Sequence, residues 1–351
     1  MKKRIVVLIA LALAVATAFC GCKKNAVSNP AAGEGDYANI NGVELNTNEI
    51  NPLTGLQDLN KEKVNNRPIC IMVNNISIAQ DIQTGLDQAD IVYETYVEGG
   101  ITRLMAVYKD IEKVDDIGSC RSARYSYVDL AGGHDAIYFH AGLDRKYCAS
   151  HFTATGSDHI NLLEASSKYS QRVANGKSSE HTLYTSGKQL KQAVSGYSRR
   201  TELKDKYKKN WMSFNAEDEA VKPSEGEANK VSVAFSSYSS EFTYNTKDKM
   251  YYKTQNGSKH NDWKTGKQLK FKNVLILESS VSYFSDNKHV KTALSSGTGY
   301  YCSEGGYEKI KWQKGSTYDA ITITKTDGSE VAYNAGTSWV CIPKKGGVTF
   351  S

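Results

Sequence analysis

The stretch GSCRSARYSYVDLAGGHDAIYFHAG, residues 118–142, decides the fold class of the N-terminal half, because a helical pattern passes directly into a strand pattern. The helical part places apolar and aromatic side chains three, four and seven to eight residues apart, at Ala123, Tyr127, Leu130 and Ala131. This spacing predicts a helix that the glycines at 132 and 133 end. The run HDAIYFHAG that follows predicts a buried strand with His140 at its end.

Further strand patterns precede this stretch. RPICIMVNN, residues 67–75, predicts a short apolar strand. ADIVYETYVEGGITRLMAVYKD, residues 89–110, predicts two strands with a turn at Gly99 and Gly100. Strand, helix and strand in this order favour an α+β or α/β N-terminal domain.

The C-terminal half is rich in β-branched and aromatic residues. VSVAFSS, KFKNVLILE and DAITITKTDGSEVAYN are short runs, punctuated by the turn pairs at 256–257 and 327–328. They predict a mainly antiparallel β domain.

A charged and acidic segment between the halves predicts a linker. We therefore expect a lipoprotein signal peptide at 1–21, a lipid-anchored flexible tether at 22–50, the N-terminal domain at 51–205, the linker at 206–229 and the β-rich domain at 230–351.

The N-terminus has the pattern of a lipoprotein signal peptide. MKKR precedes an apolar run that is too short for a spanning helix, and Gly21 precedes Cys22. Cleavage before a lipid-modified cysteine requires small residues, so Cys22 is the predicted lipidation site, whereas Cys20 follows the bulky Phe19. Acyl chains such as palmitate hold a protein at about 0.8 kcal/mol per buried methylene. We expect an extracytoplasmic protein, lipid-anchored to the outer face of the cell membrane.

Charge and cysteine content narrow the function classes. Removal of residues 1–21 lowers the formal net charge from +6 to +3, whereas nucleic-acid binders concentrate basic charge, so we expect no nucleic-acid partner. We expect Cys70, Cys302 and Cys341 to be buried apolar residues, and a Cys302–Cys341 disulfide stays open. The cysteines and histidines follow no metal-ligand spacing. We expect no metal site and no cofactor.

Several landmarks follow one another along the chain, namely NPLTGL, RPICIMVNN, GLDQADIVYETYVEGGITRLMAVY, residues 118–142, EHTLYTS, YYKTQNGSKHNDWKTGKQLKFKNVLIL and EVAYNAGTSWVCIPK. In this order they resemble the YerB-like lipoprotein family. The resemblance covers nearly all of residues 51–345. It implies an envelope lipoprotein, mostly of Gram-positive bacteria, with two domains of unknown function, and it supplies no catalytic residues. Cys120 departs from the apolar residue usual in that family before Arg-Ser-Ala-Arg, so we do not expect it to be a shared nucleophile.

The block at 118–142 and its neighbours nevertheless hold a candidate ligand or catalytic cluster. Arg121 and Arg124, three residues apart on the predicted helix, share a face that suits a carboxylate or phosphate. His140, at a strand end, has the chemistry of a general base. Glu94 and Glu98 alternate onto one side of a predicted strand. The full set is Glu94, Glu98, Arg103, Arg121, Arg124, Asp129, His140, His181 and Tyr184.

Each of these residues also fits a structural role. Arginines near acidic strands commonly form internal ion pairs, and no G-x-S-x-G, Walker loop or G-x-G-x-x-G sequence occurs. We favour a non-enzymatic cell-envelope module that binds a ligand or partner, with a cell-wall component or an envelope protein as its partner. The alternative is a hydrolase or transferase that acts on cell-wall polymer through a polar cleft in the N-terminal domain.

Overall fold

A central sheet of eleven strands organises the part of the chain that the computed structural model describes, namely residues 37–40, 43–46, 48–208 and 212–351. These described residues form one compact unit. The predicted signal peptide, Cys22 and most of the predicted tether lie outside the described residues.

The N-terminal half mixes strands and helices. Its described strands are β1 (Tyr37–Ile40), β2 (Val43–Asn46), β3 (Ile69–Val73), β4 (Ile91–Tyr96), β5 (Thr102–Tyr108), β6 (Asp116–Gly118), β7 (Ile137–His140), β8 (His159–Asn161), β9 (Gln171–Arg172) and β10 (Leu183–Ser186). Its described α-helices are α1 (Tyr125–Gly133), α2 (Cys148–Thr155) and α3 (Gly187–Gly196). Gly99 and Gly100 turn β4 back onto β5 with φ of +75° and +72°, a left-handed conformation that favours glycine.

The C-terminal half is built from strands, and no helix occurs in residues 212–351. The strands are β11 (Ser213–Phe214), β12 (Gly226–Glu227), β13 (Lys230–Phe235), β14 (Tyr238–Asn245), β15 (Met250–Gln255), β16 (Ser258–Lys259), β17 (Lys270–Phe271), β18 (Asn273–Leu277), β19 (Val281–Tyr283), β20 (Val290–Thr292), β21 (Ser296–Ser303), β22 (Gly306–Gln313), β23 (Thr322–Lys325), β24 (Ala332–Tyr333), β25 (Ser338–Ile342) and β26 (Val348–Phe350). The predicted fold class, a mixed N-terminal domain followed by a mainly antiparallel β domain, is confirmed.

The central sheet takes strands from both halves of the chain. Its order is β12-β22-β21-β18-β25-β4-β5-β3-β7-β8, with β23 beside β22. The halves meet where β25 lies parallel to β4, with Ser338 opposite Ile91 and Ile342 opposite Thr95. The predicted boundaries at 51–205 and 230–351 stay predictions, because one sheet continues across them.

Two layers cover the central sheet because successive side chains of a strand point to opposite faces. On β4, Val92 joins one apolar core and Tyr93 joins the other. The Val92 face packs against α3 and a second sheet, ordered β16-β15-β14-β13-β26 with β17 beside β15. The Tyr93 face packs against α1 and α2. Glu94, next along β4, therefore points towards the second sheet.

Two local predictions are corrected by the backbone. Helix α1 begins at Tyr125, after Arg121, so the two arginines do not share a helical face. The backbone N–H of Arg121 instead donates to Met72 O, and its carbonyl oxygen accepts from Ala141 N, both at 2.9 Å. These are not the hydrogen-bond partners of an α-helix.

Strand β4 ends at Tyr96, and Glu98 lies beyond it in the 3-10 turn Glu98–Gly100. Glu94 and Glu98 are therefore not a carboxylate pair on one strand.

Candidate functional site

The arginines at 121 and 124 are held by carboxylates of the same chain. Arg124 Nε lies 2.6 Å from Oε2 of Glu98, and Arg121 Nη2 forms a short ion pair with Glu180. Both pairs are partly exposed. An external anion at these arginines has to compete with the carboxylate already present.

Arg103 lies buried beside these pairs. Its Nη1 donates to Ser122 O at 2.6 Å. Burial, and then the like charge of Arg124, lower the pKa of Arg103 to about 9, while Glu98 opposes that shift. We call Arg103, Arg121, Arg124 and Glu98 the arginine cluster.

Asp129 and Tyr184 belong to other hydrogen-bond sets. Asp129 Oδ1 accepts from His151 Nε2 and from Thr317 Oγ1, both at 2.7 Å. Tyr184 donates its hydroxyl to Ile82 O at 2.7 Å. These contacts tie α1 to α2 and β10 to the segment after β3, so both residues hold elements together.

His181 is the predicted residue that approaches the arginine cluster. Its Nε2 lies 3.7 Å from Oε1 of Glu180, the partner of Arg121. Asn74 Nδ2 lies 2.8 Å from its Nδ1, and because an amide nitrogen donates, Nδ1 is the accepting nitrogen. His181 thus links the cluster to the polar residues that follow β3.

His140 is buried at the end of β7 with both ring nitrogens in contact with the protein. Nδ1 lies 2.8 Å from Gly142 O, and Nε2 lies 2.9 Å from Nδ1 of His159. Burial, and then the neighbouring His159, lower the pKa of His140 to about 3. The general-base role predicted for His140 does not fit this geometry, because neither nitrogen is open to a substrate.

Glu94 receives hydrogen bonds from both halves of the chain. Thr102 Oγ1 and Asn75 Nδ2 reach its Oε1 at 2.8 and 3.3 Å. Ser240 Oγ and Trp339 Nε1 reach its Oε2 at 2.7 and 3.1 Å. The side chain is fully buried, and a carboxylate is tolerated there only when its oxygens are hydrogen-bonded.

Lys253 is the buried cation of the same network. Its Nζ lies 3.0 Å from Ser240 Oγ and 3.0 Å from Gln255 Oε1, and 4.7 Å from the centre of the Trp339 ring. Burial lowers the pKa of Lys253, whereas Glu94 opposes that shift. Ser240 bridges the two charges, because it accepts from Lys253 and donates to Glu94.

A chain of side-chain hydrogen bonds leads from Glu94 to a histidine of the C-terminal half. Asn75 donates to Glu94, Gln83 Nε2 donates to Asn75 Oδ1 at 3.0 Å, and Gln83 Oε1 forms a short hydrogen bond with His260 Nε2. The Gln83 nitrogen already donates, so its oxygen accepts and His260 Nε2 carries the hydrogen. We call Glu94, Asn75, Gln83 and His260 the seam chain.

The seam chain fixes the state of His260. Burial, and then the charge of Lys253, hold the pKa of His260 well below its ordinary value, so the ring is neutral. Its Nδ1 is therefore a lone-pair acceptor, and no described residue donates to it.

A cavity of about 510 Å³, the seam cavity, lies where this chain ends. The N-terminal half lines it with Ser77, Gln80 and Asp81, and the C-terminal half with Gln255 and residues 258–263. Three lining side chains carry a buried nitrogen with no partner among the described residues: Gln80 Nε2, Gln255 Nε2 and His260 Nδ1. The volume is within the usual range of ligand sites, and such nitrogens call for a functional explanation.

Sequence analysis identified Glu94 but missed Asn75, Gln83 and His260. One signal was present, because polar residues directly follow the apolar strand RPICIMV, and strand ends often line sites. No local pattern indicates that Gln83 contacts His260, because the two residues are 177 residues apart in sequence.

The described residues do not meet the requirements of a metal site, a disulfide or a membrane-spanning helix. No group of three or more His, Cys, Asp or Glu side chains in them is placed to hold a metal ion. Cys70, Cys302 and Cys341 are buried as expected, and Cys302 and Cys341 are free thiols without a disulfide. None of the described helices has the length and apolar character needed to cross a membrane.

Comparison with known proteins identifies the family. Residues 53–200 match the N-terminal domain, and residues 230–340 the C-terminal domain, of a protein of unknown function, DUF3048. The chain is 29% identical over 299 residues to the putative lipoprotein YerB of Bacillus subtilis (strain 168), covering 83% of this chain and 85% of that protein. A crystal structure of YerB from Bacillus subtilis matches with a TM-score of 0.72 and 26% identity, covering 86% of this chain and 99% of the other. This chain is a member of the YerB-like family, with both DUF3048 domains.

Proposed function

We propose that this protein is a lipid-anchored, extracytoplasmic binding module that holds uncharged polar groups of a cell-wall component in the seam cavity. The signal-peptide pattern that ends at Cys22 supports the anchor. So does the name of its relative in Bacillus subtilis, a putative lipoprotein. Both favour a place on the outer face of the cell membrane.

The direction of the hydrogen bonds in the seam chain is the main support for this function. A buried carboxylate of one half fixes, through two amides, the tautomer of His260 in the other half. The Nδ1 lone pair is then ready to accept an N–H or O–H group. The protein thereby offers a preformed acceptor at a cavity that both family domains line.

The same geometry favours binding over proton transfer. A general base works best when its pKa lies near the working pH. Burial and then Lys253 keep the pKa of His260 well below its ordinary value, so taking up a proton is unfavourable at neutral pH. Accepting a hydrogen bond requires no such change of charge.

Co-sedimentation with purified peptidoglycan tests the proposal. We expect the full chain, purified in detergent micelles, to sediment with the polymer. The variant Ser258→Trp, which fills the cavity from an exposed position on β16, should remain in the supernatant. Ser282→Trp is the matched control, because Ser282 is an exposed strand serine outside the cavity lining, and this variant should sediment like the parent.

Soluble polymer fragments measured in the supernatant distinguish catalysis from binding. A binding module releases no soluble fragments from the polymer, whereas release of fragments by the parent would favour the hydrolase alternative. Absence of sedimentation, or equal sedimentation of Ser258→Trp and Ser282→Trp, would rule out the seam cavity as the site.

A further inference from the structure

A second cavity, of about 540 Å³, lies beside the pair formed by His140, the last residue of β7, and His159, the first residue of β8. Its wall includes Leu143, Phe152, His159, Asn161 and Leu163. It shares no lining residue with the seam cavity. The two cavities are therefore separate places on the protein.

The backbone fixes the hydrogen positions of the histidine pair. His140 Nδ1 faces the carbonyl oxygen of Gly142 at 2.8 Å, so Nδ1 carries the hydrogen and Nε2 accepts. The contact at 2.9 Å with His159 Nδ1 then requires a hydrogen on that atom. His159 Nε2 is left as a lone-pair acceptor on a side chain that lines the cavity.

Asn161 supplies a fixed donor on the same wall. Its Oδ1 accepts from the backbone N–H groups of Gly142 at 2.8 Å and Leu163 at 3.2 Å. The amide oxygen must face these donors, so the Nδ2 group is turned away from them. Asn161 is only 8% exposed, so its orientation is held by packing as well as by hydrogen bonds.

The acceptor and the donor stand two residues apart on one face of β8. Two residues along a strand span about 6.5 Å. Two side chains this close on one face can both contact a single ligand group that carries its N–H and its C=O on separate atoms. A secondary amide has this arrangement, whereas a hydroxyl donates and accepts at a single atom.

The rest of the wall fits a neutral amide with a small apolar substituent. Leu143, Phe152 and Leu163 provide apolar surface, and Leu163 is 53% exposed. The charged lining residues Arg145 and Glu164 are both exposed and opposite in sign. Burial, and then Arg199, lower the pKa of His159, which keeps its ring neutral.

We propose that this cavity is a second binding site, which recognises a secondary amide by hydrogen bonds to His159 Nε2 and Asn161 Nδ2. An N-acetylated sugar and a peptide bond share this chemistry. The chain would then hold an amide-bearing ligand at a place separate from the seam cavity.

Calorimetric titration of the full chain in detergent micelles tests the site with three probes. N,N′-diacetylchitobiose represents the acetamido sugar, N-acetyl-alanine methylamide represents the peptide bond, and cellobiose is the matched sugar without acetamido groups. We expect saturable binding of at least one amide probe and none of cellobiose. Binding of the chitobiose alone would identify a sugar site, and binding of the capped alanine alone would identify a peptide site.

Variants connect the binding to the proposed contacts. His159→Phe removes the acceptor, so we expect about tenfold weaker binding. Leu163→Trp fills the cavity from an exposed position and should abolish binding even if His159→Phe does not fold. Ser282→Trp introduces the same bulky side chain outside this cavity, so its affinity should stay within about twofold of the parent.

Several results would overturn this site. They are no saturable binding of either amide probe, equal binding of cellobiose, unchanged affinity in Leu163→Trp, or loss of binding in Ser282→Trp. Ser258→Trp, which blocks the seam cavity, should leave the amide affinity unchanged, so the two sites can fail separately.

Discussion

Replacement of Glu94 by glutamine tests the buried network that joins the two halves. Oε1 of Glu94 accepts from Asn75 and Thr102, and Oε2 accepts from Ser240, Trp339 and, at 4.0 Å, the thiol of Cys341. The amide nitrogen of a glutamine cannot accept, so at least two donors lose their acceptor whichever way the amide turns.

The size of the effect follows from these contacts. Hydrogen bonds to a charged group contribute about 1.5–3 kcal/mol each. The substitution also removes the anion nearest to buried Lys253, and breaking a buried charge pair commonly costs about 3–5 kcal/mol. The two figures describe the same buried anion and do not add, so we expect Glu94→Gln to lower the free energy of unfolding by about 4 kcal/mol.

Urea unfolding of the full chain, followed by tryptophan fluorescence, measures this loss. Glu241→Gln is the control, because Glu241 pairs with Lys230 at 3.1 Å in a partly exposed position, and such a pair contributes at most about 1 kcal/mol. The double variant with Lys253→Met should recover about 1–3 kcal/mol through coupling of the two sites. The reasoning fails if Glu94→Gln costs no more than the control, or if its effect and that of Lys253→Met simply add.

The remaining predictions concern pH and the lipid anchor. The pKa of His140 is lowered to about 3 by burial and then by His159, so its contribution to stability is full above about pH 6.5 and is lost as the pH falls towards 3. The free energy of unfolding, measured with urea across that range, should fall less steeply for His140→Gln, by about 1.4 kcal/mol per pH unit, and equal slopes would contradict this. Cys22→Ser should abolish labelling of the chain by a palmitate analogue in cells, whereas Cys20→Ser should keep it.

Local patterns predicted the elements of the fold well. The run HDAIYFHAG contains β7, the Gly99-Gly100 pair forms the turn between β4 and β5, and the C-terminal runs are strands. These predictions succeeded because side-chain periodicity and glycine act over a few residues. The helix start was wrong because the backbone of Arg121 bonds to neighbouring strand segments, a long-range effect that overrides local spacing.

The candidate site was harder to predict because its parts are distant in sequence. Glu94 was identified as a polar residue of a strand, but its importance depends on Ser240 and Trp339, which reach it from the other half. Likewise, His140 was identified, while its open partner His159 was not, because strand order alone does not show which residues of β7 and β8 are neighbours. The pairing of residues across the sheet shows which side chains are neighbours, whereas the periodicity of a single strand does not.

The contacts between the N-terminal and C-terminal halves explain in physical terms why the two halves depend on each other. Without the C-terminal half, the edge of β4 would lose its pairing with β25, and Glu94 would keep only the donors Asn75 and Thr102. Without the N-terminal half, Lys253 would lose its nearest anion, and His260 would lose the amide that fixes its tautomer. Because unpaired buried charges are costly, each half stabilises the polar groups of the other. The interface that carries the proposed binding site therefore also contributes to holding the fold together.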